Sequence, residues 1–370
     1  MATPKDVLWD KDPHTEAKHR IYRAYFDAWF PILLQSEYAP KGVTYAEGFS
    51  GPGEYKDGSP GSPAIALSAA LGSIAPPNPR RPARFLLVDG DAARVTYLRG
   101  VIERSLGTLD VSKLAQRGLV VDIEKGPCTE TLPQMLDRHR AWGKPMLVIL
   151  DTWGSAVNFE LLRRIGTSRA AEAVVTIEPS QFVRFAADPN HYGDRIFGPV
   201  VWRDVQGQPS RNKASYIKKQ YRRVLNEAGF RYVLDFELAD ERSNLLYLVY
   251  GTNSERGVEK MKDAIWTVDP YHGLGYRDPR DPAQETLAIE PVPQTAALRR
   301  LILDRMNVSP DRQVSVDTLR QFVLLETIYR PAQTLKAVQR LVDEQSLIRC
   351  DGGRLTRASF VKINNQGAMF

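Results

Sequence analysis

The sequence contains little cysteine and no long apolar run. Only Cys128 and Cys350 occur among its 370 residues, which excludes a disulfide scaffold, and the two thiols lie too far apart in sequence to pair on zinc. No apolar stretch of about 18 residues or more is present, so we expect no membrane span. Residues 1–14 are mostly polar and lack the apolar segment of a secretory signal. These absences predict a cytoplasmic protein with reduced thiols.

Several familiar catalytic motifs are also missing. The sequence has no Gly-x-x-x-x-Gly-Lys-Ser/Thr phosphate loop, and no Ser/His/Asp triad is suggested by context. His14 and His19 could suggest a metal site. Five positions apart in a predicted helix, however, they point about 140° away from each other, and a structural role is favoured for at least one of them.

The length accommodates one full α/β domain and a smaller one. With 43% hydrophobic and 25% charged residues, the composition is that of an ordinary globular protein. The net charge of +6 permits nucleic-acid binding, but it is equally typical of basic enzymes that bind only small anionic cofactors.

Strand-like and helix-like segments alternate through the first 180 residues or so, which predicts a doubly wound parallel sheet of the Rossmann type. Two further strands, at 232–238 and 245–250, predict an antiparallel hairpin that closes the sheet. The predicted parallel strands are 43–50, 84–89, 119–123, 146–151 and 174–178, and the clearest helices are 14–35, 62–72 and 91–105. Thr15 and Ser62 are the expected N-caps of the first two helices.

A segment rich in proline and aspartate, 269–293, predicts a linker between a domain at 1–268 and another at 294–370. Helices are expected at 295–306, 315–328 and 332–345. Two short strands, 347–350 and 355–356, flank the turn Asp351-Gly352-Gly353. Three helices followed by a hairpin predict a C-terminal winged-helix domain, a module that binds either nucleic acid or protein.

The first candidate site follows the first strand, where residues 47–53 read EGFSGPG. The pattern acid-x-Phe-x-Gly-x-Gly, formed by Glu47, Phe49, Gly51 and Gly53, is typical of a loop that binds S-adenosylmethionine. Glycine lets the backbone approach a cofactor closely. The alternative is a plain Gly-Pro-Gly surface turn.

Acidic residues follow the next two strands. Asp89, at the end of the second strand, is expected to accept hydrogen bonds from ribose hydroxyls. Asp122, placed at the end of the third strand, is a candidate partner of the adenine amino group, or else a solvated strand end.

The fourth strand ends in Asp151-Thr152-Trp153-Gly154. Enzymes that methylate base amines often have Asn/Asp-Pro-Pro-aromatic at this position, and this chain keeps the acid and an aromatic. Asp151 is expected to orient or deprotonate a methyl acceptor, and Trp153 to stack on it or pack in the core. Glu178, after the fifth strand, extends this catalytic row. Alternatively, Asp89, Asp151 and Glu178 supply carboxylates for the metal of a nuclease.

Basic residues mark two candidate nucleic-acid surfaces. The first lies on the helical segment 211–223, off its apolar stripe, and the second on the third helix of the C-terminal domain. Both could meet phosphates, while a solvated helix face explains the first equally well. The residues are Arg211, Lys218, Lys219, Arg222 and Arg223 in the first, and Lys336 and Arg340 in the second.

The chain resembles the three-Cys-motif partner protein (TcmP) family over nearly all of its first 270 residues. The resemblance is carried by HTEAKH at 14–19, FSGPG at 49–53, GSP at 61–63, Asp89 and GVEKMKDAIW at 257–266. Where family members often read Asp-Pro-Phe-Gly, this chain has Thr152 and Trp153 at the two middle positions. The resemblance implies a class I methyltransferase fold, S-adenosylmethionine as cofactor and a three-Cys-motif radical-type protein as partner.

These patterns favour an S-adenosylmethionine-dependent methyltransferase that acts on nucleic acid or a nucleotide-like substrate. Two alternatives remain open. One is a metal-dependent nuclease or phosphodiesterase that uses the strand-end carboxylates. The other is a non-enzymatic adaptor that binds its partner through the winged-helix domain and the basic helix.

Overall fold

The computed structural model describes residues 6–35, 41–74, 78–152, 157–190, 192–240, 242–270, 273, 275–277, 295–308 and 313–364. Their largest feature is an 8-stranded sheet in the order β3-β2-β1-β4-β5-β7-β6-β8. The strands are β1 (Val43–Glu47), β2 (Ala83–Asp89), β3 (Leu119–Lys125), β4 (Met146–Leu150), β5 (Ala171–Ile177), β6 (Tyr232–Ala239), β7 (Leu245–Thr252) and β8 (Gly275–Arg277).

The first five strands are parallel, and the order of the sheet reverses between β1 and β4. In doubly wound sheets this switch point opens a crevice at the carboxyl ends of the strands. β7 lies antiparallel between β5 and β6. The predicted doubly wound sheet and its closing hairpin are therefore confirmed. The predicted linker missed β8, which pairs in parallel with β6 at the sheet edge, while residues 278–294 lie outside the described residues.

Helices cover both faces of the sheet because side chains alternate along each strand. The helices are α1 (Pro13–Leu34), α2 (Ser62–Leu71), α3 (Ala92–Leu106), α4 (Val111–Gln116), α5 (Cys128–Arg138), α6 (Phe159–Gly166), α7 (Pro179–Phe185), α8 (Gly193–Phe197), α9 (Lys213–Glu227) and α10 (Glu255–Ile265). Leu87 faces the cluster built on α1, α2, α3 and α10, whereas Leu86 and Val88 face the cluster built on α5 to α9.

The two predicted N-caps are wrong. α1 begins at Pro13 after the N-cap residue Asp12, and Thr15 lies buried within its first turn. α2 is preceded by Gly61, so that Ser62 is the first helical residue. Because Thr15 and Ser62 do not cap the helices, their hydroxyls can face the cavity described below.

The C-terminal segment forms three helices and a 3-stranded antiparallel sheet of order β10-β11-β9. Its elements run in the order α11 (Ala296–Asn307), β9 (Gln313–Ser315), α12 (Val316–Glu326), α13 (Pro331–Asp343), β10 (Leu347–Arg349) and β11 (Phe360–Ile363). The three predicted helices are present. The predicted strand at 355–356 is wrong, because the partner of β10 is β11.

α10 joins this C-terminal unit to the rest of the molecule. The buried amino group of Lys262 lies within hydrogen-bond distance of the carbonyls of Val323 (3.0 Å), Leu324 (2.6 Å), Thr327 (2.6 Å) and Tyr329 (3.1 Å), at and just beyond the end of α12. Burial lowers the pKa of Lys262 to about 7, and the three N–H groups of its ammonium form can satisfy three of these carbonyls at once. The first three carbonyls belong to the end of the helix, where intrahelical partners run out. Next to it, the Trp266 indole donates to the carbonyl of Ile328 at 3.1 Å.

Among the described helices, none combines the length and the apolar character needed to cross a membrane.

Candidate functional site

A cavity of 610 Å³ opens at the carboxyl ends of β1, β2 and β4, at the switch point of the sheet. This is where ligands bind in open α/β sheets. Most of the predicted strand-end residues meet here. Those that line the cavity are Glu47, Phe49, Gly51, Gly53, Asp89 and Asp151.

The glycine loop after β1 has a backbone that only glycine adopts easily. Gly51 and Gly53 have φ of 61° and 85°, in the left-handed region. A Cβ on Gly53 would lie 2.7 Å from Cδ1 of Leu98 on α3. The carbonyl of Gly53 accepts from the amide of Gly61 at 2.8 Å, which ties the loop to the start of α2. The loop therefore lines the cavity with bare backbone.

Asp89 connects the two loops that follow β1 and β2. Its Oδ2 accepts from the amide of Gly51 at 2.9 Å, and its Oδ1 accepts from the amide of Asp91 at 2.8 Å. Asp91 in turn caps α3 by accepting from the amides of Ala93 and Arg94. Each oxygen of an ionised carboxylate has two acceptor positions. One position on each oxygen of Asp89 therefore remains for a ligand in the cavity.

Glu47 is a buried carboxyl group, only 1% exposed. Tyr45 donates to its Oε2 at 2.8 Å, and the hydroxyl of Ser62 donates to its Oε1 at 2.5 Å. Burial raises the pKa of Glu47 to about 8, although both hydroxyls favour the ionised form. Glu47 is therefore mostly protonated at neutral pH.

Asp151 forms a buried ion pair with Lys18 of α1. Thr176 of β5 donates to Oδ1 of Asp151 at 3.0 Å, and its own hydroxyl oxygen accepts from the amide of Thr152 at 3.1 Å. Burial disfavours the charge on Asp151, but the Lys18 ammonium and the Thr176 hydroxyl outweigh it and lower the pKa of the carboxyl. Asp151 is consequently ionised and a weak base.

The N-terminal turns of α1 form a wall that was not recognised from the sequence. His14, Thr15, Lys18 and His19 all line the cavity, although the two histidines had been placed on different faces. Burial lowers the pKa of His14 and lowers that of His19 to about 3, so both rings are neutral at pH 7.

A sequence signal for this wall did exist. The apolar stripe of α1 includes Ile21 and Tyr25, and its helical repeat continued towards the N-terminus lands on Lys18 and His14. Polar residues on a buried stripe indicate a site, because burying them without partners is costly.

Two predicted residues do not reach the cavity. Asp122 lies in the middle of β3, which runs on to Lys125, and strand alternation points it to the α5 side, where His139 (2.9 Å) and Arg138 bind it. Glu178 precedes α7 and accepts from Ser180 and Gln181. Trp153 lies outside the described residues. Within the described ranges, no group of three or more His, Cys, Asp or Glu side chains is placed to hold a metal.

The predicted basic surface on α9 divides into two sets. Lys218 lies 3.2 Å from Oδ2 of Asp235 on β6, and Arg222 binds Oδ1 of the same residue, so these two cations are paired within the molecule. Arg211, Lys219 and Arg223 are exposed. On α13, Lys336 is exposed and Arg340 is half-buried.

No family model matches the chain, and no curated protein matches it. Several solved structures are similar in fold at low identity. The DszA carbon methyltransferase is 12% identical, with a TM-score of 0.34 over 66% of this chain and 56% of its own. Spermidine synthase from Thermotoga maritima is 11% identical, with a TM-score of 0.31 over 64% of this chain and 62% of its own. The B. subtilis M1A22 tRNA methyltransferase TrmK is 9% identical, with a TM-score of 0.28 over 85% of this chain and 94% of its own.

This chain spans less than two thirds of the length of the first two of these structures.

Proposed function

We propose that this protein is an S-adenosylmethionine-dependent methyltransferase that acts on nucleic acid or a nucleotide-like substrate. The observation that carries the proposal is the meeting of the Gly51–Gly53 loop with Asp89 at the switch point of the sheet. The glycine loop lets a nucleoside approach its backbone closely, and the ribose hydroxyls of that nucleoside can donate to Asp89.

The charge distribution also suits this cofactor. Glu47 can balance a cationic ligand. Two buried polar atoms, the Tyr22 hydroxyl and Nδ1 of His19, have no hydrogen-bond partner among the described residues. Buried polar atoms without partners are uncommon in native proteins and often mark a binding site. Glu47, the Gly51–Gly53 loop and Asp89 would hold the cofactor, which supplies an electrophilic methyl group on a sulfonium.

The choice of substrate class rests on the C-terminal unit and the exposed cations. We infer that this unit is a winged-helix domain, since its order of helix, strand, two helices and two strands matches that module. Lys219 and Arg223 on α9 and Lys336 on α13 would contact phosphates. Membership of the TcmP family and a three-Cys-motif partner form part of this proposal.

The direct test is calorimetric titration with S-adenosylmethionine and S-adenosylhomocysteine. We expect micromolar binding, followed by transfer of a labelled methyl group to bulk tRNA or DNA. Gly53→Ala should weaken binding, because its Cβ would lie 2.7 Å from Cδ1 of Leu98 and the Leu98 side chain or the loop must shift. Gly58→Ala is the matched control, since Gly58 also has a positive φ (77°) but an added Cβ would meet nothing within 4 Å. Absence of binding to the wild-type protein would refute the proposal.

A further inference from the structure

The α1 side of the cavity presents hydrogen-bond donors. The ammonium of Lys18 has three N–H groups, and its described partner is Asp151. No other described side chain or carbonyl accepts from this ammonium, although Lys18 is only 7% exposed and lines the cavity. A buried ammonium with unused donors requires an acceptor, and a ligand in the cavity can supply it.

Asp151 accepts on both oxygens, from Lys18 on Oδ2 and from Thr176 on Oδ1, and each oxygen keeps one further acceptor position. These two donors lower the pKa of the carboxyl, so the positions that remain are weak acceptors. Its negative charge is balanced by the ion pair. An exocyclic amine, as in adenine or cytosine, would need acceptors to bind its N–H groups and orient its lone pair. This wall instead directs a cationic donor at the ligand, which favours a substrate oxygen or an anion.

His14 lies four positions before Lys18 in α1, so the two side chains share one face of the helix. No described residue forms a hydrogen bond with its imidazole, which lines the cavity. Burial and the nearby Lys18 ammonium lower the pKa of His14, although Asp12, Asp240 and Asp151 oppose this. The neutral ring has a nitrogen lone pair that can accept a proton from a bound substrate as it reacts.

We propose that His14, Lys18 and Asp151 form the acceptor subsite of this methyltransferase, and that it selects a keto nucleobase, whose ring N–H lies beside a carbonyl, over a base that offers an exocyclic amine. The inference rests on the function proposed above. Lys18 binds the carbonyl oxygen and stabilises the negative charge that the ring develops on losing its proton. Asp151 is a positioning residue that holds Lys18.

The proposed step balances in atoms and charge. The ring nitrogen gives its proton to the imidazole of His14 and uses the freed electron pair to form a bond to the methyl carbon. The bond between sulfur and that carbon breaks, and its electrons discharge the sulfonium to a thioether. The positive charge ends on His14, which releases the proton to solvent through the mouth of the cavity.

The test compares two nucleotides that differ only in the base. Wild-type protein saturated with S-adenosylhomocysteine is titrated with uridine 5′-monophosphate, which has the ring N–H beside two carbonyls, and with cytidine 5′-monophosphate, which has the exocyclic amine. We expect the uridine nucleotide to bind about 10-fold more tightly or better, the effect of one charge-assisted hydrogen bond. The ultraviolet spectrum of the bound uridine should show ionisation at a lower pH than in free solution.

Lys18→Met should remove this preference while leaving the affinity for S-adenosylhomocysteine within about 2-fold. Because this variant leaves the charge of Asp151 unpaired, Lys18→Met combined with Asp151→Asn serves as a second variant without net buried charge. Equal or tighter binding of the cytidine nucleotide, no binding of either nucleotide, or a uridine preference that survives in both variants would overturn the inference. Failure of S-adenosylhomocysteine to bind the wild type would instead refute the proposed function.

Discussion

The amide of Gly51 and Oδ2 of Asp89 are joined by a hydrogen bond of 2.9 Å. The carboxylate proposed to hold the ribose therefore also fixes the conformation of the loop proposed to hold the rest of the cofactor. Two walls of the cavity share one side chain, so a change at Asp89 acts on both.

Asp89→Ala should consequently weaken S-adenosylhomocysteine binding more than the loss of ribose contacts alone, by about 100-fold or more. Asp89→Asn is the matched control, because the amide oxygen still accepts from one of the two backbone amides while the charge is lost. We expect the asparagine variant to bind with intermediate affinity in calorimetry. Equal losses in the two variants would show that the loop does not depend on this hydrogen bond.

The raised pKa of Glu47 predicts that binding of the cationic cofactor is linked to proton release. The free carboxyl is protonated below its pKa of about 8, and a cation beside it favours the carboxylate. Affinity for S-adenosylmethionine should therefore rise as the pH increases from about 6 to about 8 and then level off.

Calorimetry in buffers of different ionisation enthalpy measures the released proton directly. Glu47→Gln should show no such release, and S-adenosylhomocysteine, which lacks the sulfonium charge, should show less. The prediction is wrong if the wild-type affinity is flat across this pH range.

The exposed cations of α9 predict the salt dependence of RNA binding. Lys219→Glu combined with Arg223→Glu should weaken binding of bulk tRNA and reduce the slope of log K against log salt by about 2, one for each phosphate contact. The matched control, Lys113→Glu with Arg169→Glu, makes the same change of charge at exposed positions elsewhere. If both double variants lose affinity equally, net charge rather than this surface governs binding.

Replacing Lys262 is expected to lower the free energy of unfolding strongly, because its hydrogen-bond partners lie 61 to 67 positions further along the chain. Lys262→Met leaves the carbonyls of Leu324, Thr327 and Tyr329 without this donor, each at a cost of about 1–3 kcal/mol if it stays unsatisfied, while the Val323 carbonyl still accepts from the Thr327 hydroxyl. We expect the free energy of unfolding in urea to fall by at least about 2 kcal/mol. Lys260→Met, on the same helix, removes only a partly buried ion pair with Asp263 and should cost less than about 1 kcal/mol.

The sequence was sufficient to predict the parts of the site that follow strand ends. Glu47, the glycine loop, Asp89 and Asp151 could be placed together because parallel strands present their carboxyl ends at one edge. The prediction that Asp122 lies at the end of the third strand was wrong, because the apolar residues of β3 do not show where the strand ends. The strand extends two residues beyond the predicted end at Ile123, through the charged residues Glu124 and Lys125.

The α1 wall escaped prediction for another reason. Lys18 meets Asp151 across 133 positions of sequence, and no local pattern reports which helix crosses the end of which strand. Likewise, no local pattern predicts that the Trp266 indole, just after α10, donates to the carbonyl of Ile328 and so holds the C-terminal unit. Contacts of this kind depend on the packing of elements that are distant in the chain.

The attachment of the C-terminal unit through α10 determines how the protein unfolds. Apolar side chains of α1, α10, α12 and α13 belong to one continuous core, and the ammonium of Lys262 is buried only while α12 ends against it. A fragment that stopped before α11 would expose that core and leave Lys262 without the carbonyls it binds. We therefore expect the C-terminal unit and the main sheet to unfold in one cooperative transition.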